Sequence, residues 1–304
     1  MSNSITKAVI LAAGLGTRTL PATKIIPKEM LTVYDRPAIQ WIVEECLHAG
    51  IKEILIVISD SKFVITEHFE DNKKLEDILL LKNKNHAFDK IHNITKNAKV
   101  SYEYINEPKG TGDAILKIRD FTEKQPFALL LGDDVTISSY TQQPAILELM
   151  KAANKLKTTI LGVKDTPFED IPLYASIDPK FSINLAKSRT FEISDIVEKP
   201  KIETVSCPYT SIGRYILTDS IFEALEKTKV DRFGELELVD AIHHLLRVDK
   251  EKVYAHVFAA KHYDVGNRIG LFEANLRLIL ENKDTKDRVI ETLKKTLESD
   301  GEEW

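Results

Sequence analysis

Residues 7–30, KAVILAAGLGTRTLPATKIIPKEM, constrain the fold most tightly: an apolar run ends in two glycines, and an arginine and two lysines follow at once. The run KAVILAA (7–13) reads as a buried strand. The glycines behind it let backbone N–H groups converge on an anion without side-chain obstruction. Runs of the same kind recur at 53–59 (EILIVIS), 100–105 (VSYEYI), 127–134 (FALLLGDD) and 158–164 (TTILGVK), separated by segments of helical period at 38–50, 62–85, 113–122 and 144–157. Such alternation predicts an α/β fold with a mixed, mostly parallel central sheet. After residue 165 short β-like pieces (ASIDP, RTFEISDIVEKP, YTSIGRYILT) follow one another without long helices, which marks an insertion or a second, β-rich lobe. Helices return at 219–228 and 235–247. A strand at 253–260 and helices at 268–282 and 284–298 complete the chain, whose end, ESDGEEW, has the charge of a solvated or oligomer-facing surface. With no repeat and no low-complexity linker, residues 1–304 are expected to form a single domain whose lobes share one core.

Composition limits the partners. The 304 residues carry a net charge of −5, so a broad basic face for nucleic acid is not expected and any positive charge is local. Cys46 and Cys207 match no metal spacing and suit a reducing cytoplasm. The N-terminal apolar run is too short for export, and nowhere do 18 apolar residues follow one another, so no membrane segment is expected. A cytoplasmic homo-oligomer, dimer or tetramer, is the expectation.

Three phosphate loops compete for GLGTRTLPATKIIPK. G-x-G-x-x-G lacks its third glycine and its acidic ribose clamp, and G-x-x-x-x-G-K-[ST] fails as well. What remains is a loop holding Arg18, with Lys28 ten positions further on, a spacing that suits a triphosphate gripped by backbone at one end and by cations at the other. An ordinary tight turn followed by exposed basic residues is the alternative. Pro21 and Pro27 weaken it, because they stiffen the run.

GLGTRTLPATKIIPKEML resembles the signature of the bacterial-type UTP-glucose-1-phosphate uridylyltransferases, the UDP-glucose pyrophosphorylases, within the sugar nucleotidyltransferase superfamily. YDRPAIQWIVEECLHAGIKEI, GDD behind a strand, IVEKP, IGRYIL, ELELVDAI and YDVGNRIGLFEAN follow in the family's order, so the resemblance covers nearly the whole chain. It implies a Rossmann-like nucleotidyltransferase fold with a β-rich sugar-binding lobe: a nucleotide-binding half at about 1–165, a sugar-binding half at 166–266 and C-terminal helices at 267–304. It also implies a reaction of UTP with glucose 1-phosphate that yields UDP-glucose and pyrophosphate.

Attack of one anion on another demands cations, fixed dipoles and a metal. By resemblance Arg18 holds the triphosphate tail and Lys28 the charge developing at the α-phosphate, while Ala13, Gly14 and Gly16 offer backbone to the nucleotide. Asp133 and Asp264, each behind an apolar strand, are the implied ligands of Mg2+, and Asp134 is read as a turn cap. On the sugar side Glu198 accepts from hydroxyls, Lys199 faces the phosphate, and Gly213 allows close approach. The eight histidines show no ligand spacing.

The resemblance departs in two places. The base-reading loop, YINEPKGTGDA, is about two residues shorter than the family's and has Asn106 near the place of a missing glutamine and Asp113 in place of a histidine, leaving Asn106 or the main chain around Gly110 to read the base. Ala175 replaces a glycine before the sugar pocket. A glucose-1-phosphate thymidylyltransferase, or an enzyme with relaxed nucleotide and hexose choice, is the alternative within the class. Outside it, the missing glycine disfavours a Rossmann dehydrogenase, and the presence of Lys28 and both aspartates disfavours a non-catalytic sugar-nucleotide sensor.

Overall fold

A computed structural model describes residues 5–92, 94–95, 98–138 and 142–299, so residues 300–304 of the acidic tail lie outside the described residues. In chain order the strands are β1 (Lys7–Leu11), the short pair β2 (Thr32–Val33) and β3 (Arg36–Pro37), β4 (Glu53–Ile58), β5 (Lys99–Tyr104), β6 (Phe127–Leu131), β7 (Asp134–Ile137), β8 (Ile160–Asp165), β9 (Ala175–Pro179), β10 (Thr190–Glu198), β11 (Tyr209–Leu217), β12 (Tyr254–Val257) and β13 (Lys261–Asp264). Among the described residues, nine of them make one sheet in the order β5-β4-β1-β6-β11-β8-β12-β10-β9, with β7–β13 and β2–β3 as separate ribbons.

The mostly parallel sheet expected from the alternation holds for one half only. β5, β4, β1 and β6 run parallel, as do β8 and β12, but β11 is antiparallel to both β6 and β8, and β10 is antiparallel to β12 and β9. The β-rich stretch thus completes the same sheet, with β11 at its middle. β1 is apolar without alternation because helices cover both of its faces: Val9 joins the cluster of Ile115, Phe222 and Ile242, while Ala8 and Ile10 join that of Ile39, Ile42 and Ile146.

The helical stretch expected at 62–85 is divided into Phe63–Phe69 and Lys73–Leu81, because the Asn72 side chain accepts from the Leu75 N–H and starts a new helix. Asn85–His92 follows as a third. Among the described residues no helix is long and apolar enough to cross a membrane.

Parallel pairing brings the carboxyl ends of β4, β1 and β6 side by side: Leu11 is in register with Val57 on one flank and Leu131 on the other. The segments leaving these three ends, 59–62, 12–16 and 132–133, therefore lie together on one edge, where open α/β sheets hold ligands.

Candidate active site

Two cations and two carboxylates meet on that edge. The Arg18 guanidinium is bidentate on Asp264, with Nη1 at 2.9 Å from Oδ2 and Nη2 at 3.3 Å from Oδ1, and Nη2 stands 3.7 Å from Asp133 Oδ2. Lys28 Nζ is 2.5 Å from the same Asp133 oxygen. Gly132 links Asp133 to β6 and lies so close to β1 that its N–H donates to the Leu11 carbonyl at 2.9 Å. Asp264 does not end a strand of the main sheet. It ends β13, whose ribbon with β7 sets it opposite Asp134. Gly266 closes the cluster, since a Cβ there would stand 2.2 Å from Asp133 Oδ2, 2.9 Å from Arg18 Nη2 and 3.0 Å from Asp264 Oδ1.

The charges are mutually adjusted. Burial works against both cations, yet Asp264 with Asp133 and Asp134 for Arg18, and Asp133 with Glu29 and Asp134 for Lys28, together outweigh it, so both are held above their ordinary values. Burial also opposes the charge of Asp133, but Lys28 and Arg18 overcome it and keep that carboxyl below the usual range. Asp264, buried and facing Asp134 and Asp133, is raised.

Asp134 is no turn cap. It opens β7, is buried, and lies 2.7 Å from His262 Nε2 on β13. Burial and then its neighbour Asp133 push it up to about 7. Burial brings His262 down to about 3, and its Nδ1 has no hydrogen-bond partner among the described residues. The Asp134 carboxylate also explains Gly213, whose φ of 67° is left-handed: a Cβ there would come within 2.3 Å of Asp134 Oδ2. The room beside this glycine is taken by the protein itself. Next to it, Arg214 is fully buried, with Nη2 at 2.9 Å from Glu45 Oε2 and a further bond to the Asp134 carbonyl.

The remaining sequence-derived positions form two further groups. On the antiparallel pair β9–β10, Ala175 is in register with Glu198, and the exposed Lys199, with φ 43°, stands 3.3 Å from the Glu198 carboxylate. Ala175 is buried in the same apolar cluster as Ile177 and Tyr215. Tyr174 links this group to the acids: its carbonyl accepts from the Lys199 N–H at 3.1 Å, and burial, then Asp264 and Asp134, push its hydroxyl up to about 12. Asn106 is exposed. Gly110, at φ 94°, packs on the backbone of Leu236, whose carbonyl would be 2.3 Å from a Cβ. The Leu236 N–H donates to Lys109 and its carbonyl accepts from Gly112, while Thr111 Oγ1 donates to Glu237 at 2.6 Å, so residues 236–237 fix this loop.

Sequence reasoning did not find Lys62 and Glu29. Lys62 Nζ contacts both Glu29 oxygens, at 2.9 and 2.8 Å, and donates to the carbonyls of Ala12 at 2.7 Å and Gly14 at 2.6 Å. Burial depresses Lys62 and raises Glu29, and their mutual attraction offsets this only in part. A signal was present: a lysine three residues beyond the strand EILIVIS, and a glutamate directly behind Lys28.

A sequence profile of the family described as nucleotidyl transferase matches residues 7–281. This chain belongs to the nucleotidyl transferase family. Within that family it is 38% identical over 286 residues, 94% of this chain and 95% of the relative, to a protein of Bacillus subtilis (strain 168) named UTP–glucose-1-phosphate uridylyltransferase. Two solved structures are similar over most of the chain. One is described as UTP-bound UGPase from Acinetobacter baumannii (TM-score 0.85, 32% identity, 95% of this chain and 98% of that one). The other is UDP-glucose pyrophosphorylase complexed with UDP-glucose (TM-score 0.81, 33% identity, 91% and 100%).

Proposed function

We propose that this chain is a UTP–glucose-1-phosphate uridylyltransferase. The observation that carries the proposal is the convergence of Arg18, Lys28, Asp133 and Asp264 at the carboxyl edge of β1 and β6 behind a glycine loop. Relatives of nearly equal length that bear this name, and neighbours solved with UTP, a substrate, and with UDP-glucose, a product, support it.

In the reaction a phosphate oxygen of glucose 1-phosphate bonds to the α-phosphorus of UTP, and the bond from that phosphorus to the bridging oxygen of pyrophosphate breaks. Charge accumulates around phosphorus, so preformed cations contribute most. Lys28 serves the α-phosphate and Arg18 the triphosphate tail. Each is paired with a carboxylate, Arg18 with Asp264 and Lys28 with Asp133. Those two carboxylates would hold a divalent cation beside the triphosphate.

Mg2+ suits those two acids. Both carboxylates already converge on one cationic group, with Asp264 Oδ1 at 3.3 Å and Asp133 Oδ2 at 3.7 Å from Arg18 Nη2, and Mg2+ needs only one or two carboxylates, completing its octahedron with phosphate oxygens and water. When bound it supplies Lewis-acid polarisation of the phosphoryl oxygens. Among the described residues no group of three or more His, Cys, Asp or Glu offers a fuller cage.

Backbone at Ala13, Gly14 and Gly16 receives the nucleotide, with Asn106 and the main chain at Gly110 beside the base. Glu198, Lys199 and the backbone at Ala175 serve the sugar phosphate. Residues 1–165 then form the nucleotide half, 166–266 the sugar half and 267–304 the C-terminal helices of one cytoplasmic, homo-oligomeric enzyme. The test is pyrophosphate release on mixing with UTP, glucose 1-phosphate and Mg2+, repeated with dTTP, ATP, GTP and several hexose 1-phosphates. A preference for ATP sinks the uridylyl reading, and equal use of UTP and dTTP leaves the chemistry but withdraws the name.

A further inference from the structure

We propose that Lys62, locked by Glu29, is a positioning residue that sets which backbone amides of the loop after β1 face the nucleotide. The proposal rests on the nucleotide-binding reading of that loop. Lys62 and Glu29 are 6% and 0% exposed, so the lysine head is an interior group. It holds the carbonyls of Ala12 and Gly14 inward.

Across a trans peptide the C=O of one residue and the N–H of the next point in opposite directions. Drawing the Ala12 and Gly14 carbonyls toward a buried ammonium therefore turns the amides of Ala13 and Leu15 outward. Gly16 extends the pattern. Its carbonyl accepts from Thr23 Oγ1 at 2.7 Å and Thr19 Oγ1 at 3.2 Å, two threonines that are themselves buried, which turns the Thr17 amide outward. Alternate carbonyls are thus tied to interior donors, and the amides between them, at residues 13, 15 and 17, form a row of fixed dipoles suited to the phosphates. Glu29 keeps Lys62 in place, and because it directly follows Lys28 the same ion pair fixes the start of the turn Lys28–Met30 relative to the loop.

Lys62→Met alone leaves a buried, unpaired Glu29, which endangers folding. The informative variant is the double replacement Lys62→Met/Glu29→Leu, which buries no charge. Thermal melting, calorimetric binding of UTP without sugar phosphate, and KM for each substrate are compared with wild type. The expected result is a folded protein whose UTP dissociation constant rises about tenfold or more, the scale of lost hydrogen bonds to a charged ligand, with KM for glucose 1-phosphate unchanged.

Lys62→Arg is the second variant. It keeps the charge pair, but its planar fork cannot serve two carbonyls and a carboxylate from one nitrogen. It is expected to raise KM for UTP alone. Wild-type UTP affinity in either folded variant overturns the positioning role, and so does a parallel loss for both substrates. A wild-type protein that binds no UTP overturns instead the reading of the loop on which the proposal stands.

Discussion

Lys28 Nζ and Asp133 Oδ2 stand 2.5 Å apart across 105 residues of sequence, with the lysine side chain 17% and the aspartate side chain 10% exposed. The pair brings the proposed charge-stabilising lysine and the proposed metal ligand to one place. Lys28→Ala removes one preorganised charge, and turnover is expected to fall on the order of 100-fold, about 3 kcal/mol. Steady-state kinetics on protein with an unchanged circular dichroism spectrum checks this. Near wild-type turnover in the folded variant would take Lys28 out of the mechanism.

Asp133 faces both cations whereas Asp264 holds Arg18 alone at hydrogen-bond distance. Asp133→Asn and Asp264→Asn are each expected to raise the Mg2+ concentration giving half-maximal rate, Asp133→Asn more strongly, because each amide keeps the shape and loses the charge. Mg2+ titrations of the rate decide it. An unchanged requirement in both variants places the ion elsewhere.

Gly266 and Gly50 make a matched pair of substitutions. An alanine methyl at Gly266 would stand 2.2 Å from Asp133 Oδ2, while at Gly50, φ 86°, it meets nothing within 4 Å. Gly266→Ala is expected to cut turnover at least about tenfold by displacing one preorganised carboxylate. Gly50→Ala is expected to cost about 1–2 kcal/mol of stability through its left-handed backbone and to leave turnover alone. Kinetics and urea unfolding on both proteins test the contrast.

The buried pair of Arg214 and Glu45 ties β11 to the helix Ala38–His48, and Glu45 also accepts from Thr136 Oγ1 at 2.8 Å and from the Ile146 N–H at 2.9 Å. Arg214→Leu leaves that carboxylate without its cation and is expected to destabilise the fold by about 3–5 kcal/mol. Adding Glu45→Gln should recover part of the loss. Denaturant midpoints that do not move would contradict this account.

Asp134 gives stability a pH dependence. Its folded value, about 7, lies above that of an unfolded aspartate, so between the two the folded state binds the extra proton and stability falls as pH rises through this window. Melting temperatures of wild type and Asp134→Asn from pH 5 to pH 8 should draw apart, with the wild type losing more. Parallel curves would show that the group does not titrate there.

How far the chain is readable depends on the distance over which a residue's reason for being there acts. The strand β1, its loop and Asp133 behind β6 are local patterns and stand where the periodicity puts them. The sequence reading gives Gly213 to close approach of the sugar and the main chain around Gly110 to the base, yet the crowding at the two glycines comes from Asp134 and Leu236, remote in sequence. The ribbon of β7 and β13, four residues each, is too short to show a period and is held by its pairing. Lys62 and Glu29 are unremarkable separately, and only the pairing of β4 with β1 brings the lysine under the loop.

On the ribosome, strands emerge in sequence order, and β11 is the eighth of the nine main-sheet strands to appear. Until residue 217 is made, β6 is paired on one side only, and β8, whose neighbours are β11 and β12, on neither. At about 5–20 residues per second this interval lasts on the order of five to fifteen seconds, during which the growing sheet presents an open row of backbone donors and acceptors. A nascent chain must be shielded through that window, and one that stops short of β11 is expected to be captured by chaperones or to aggregate rather than to persist as a smaller folded unit.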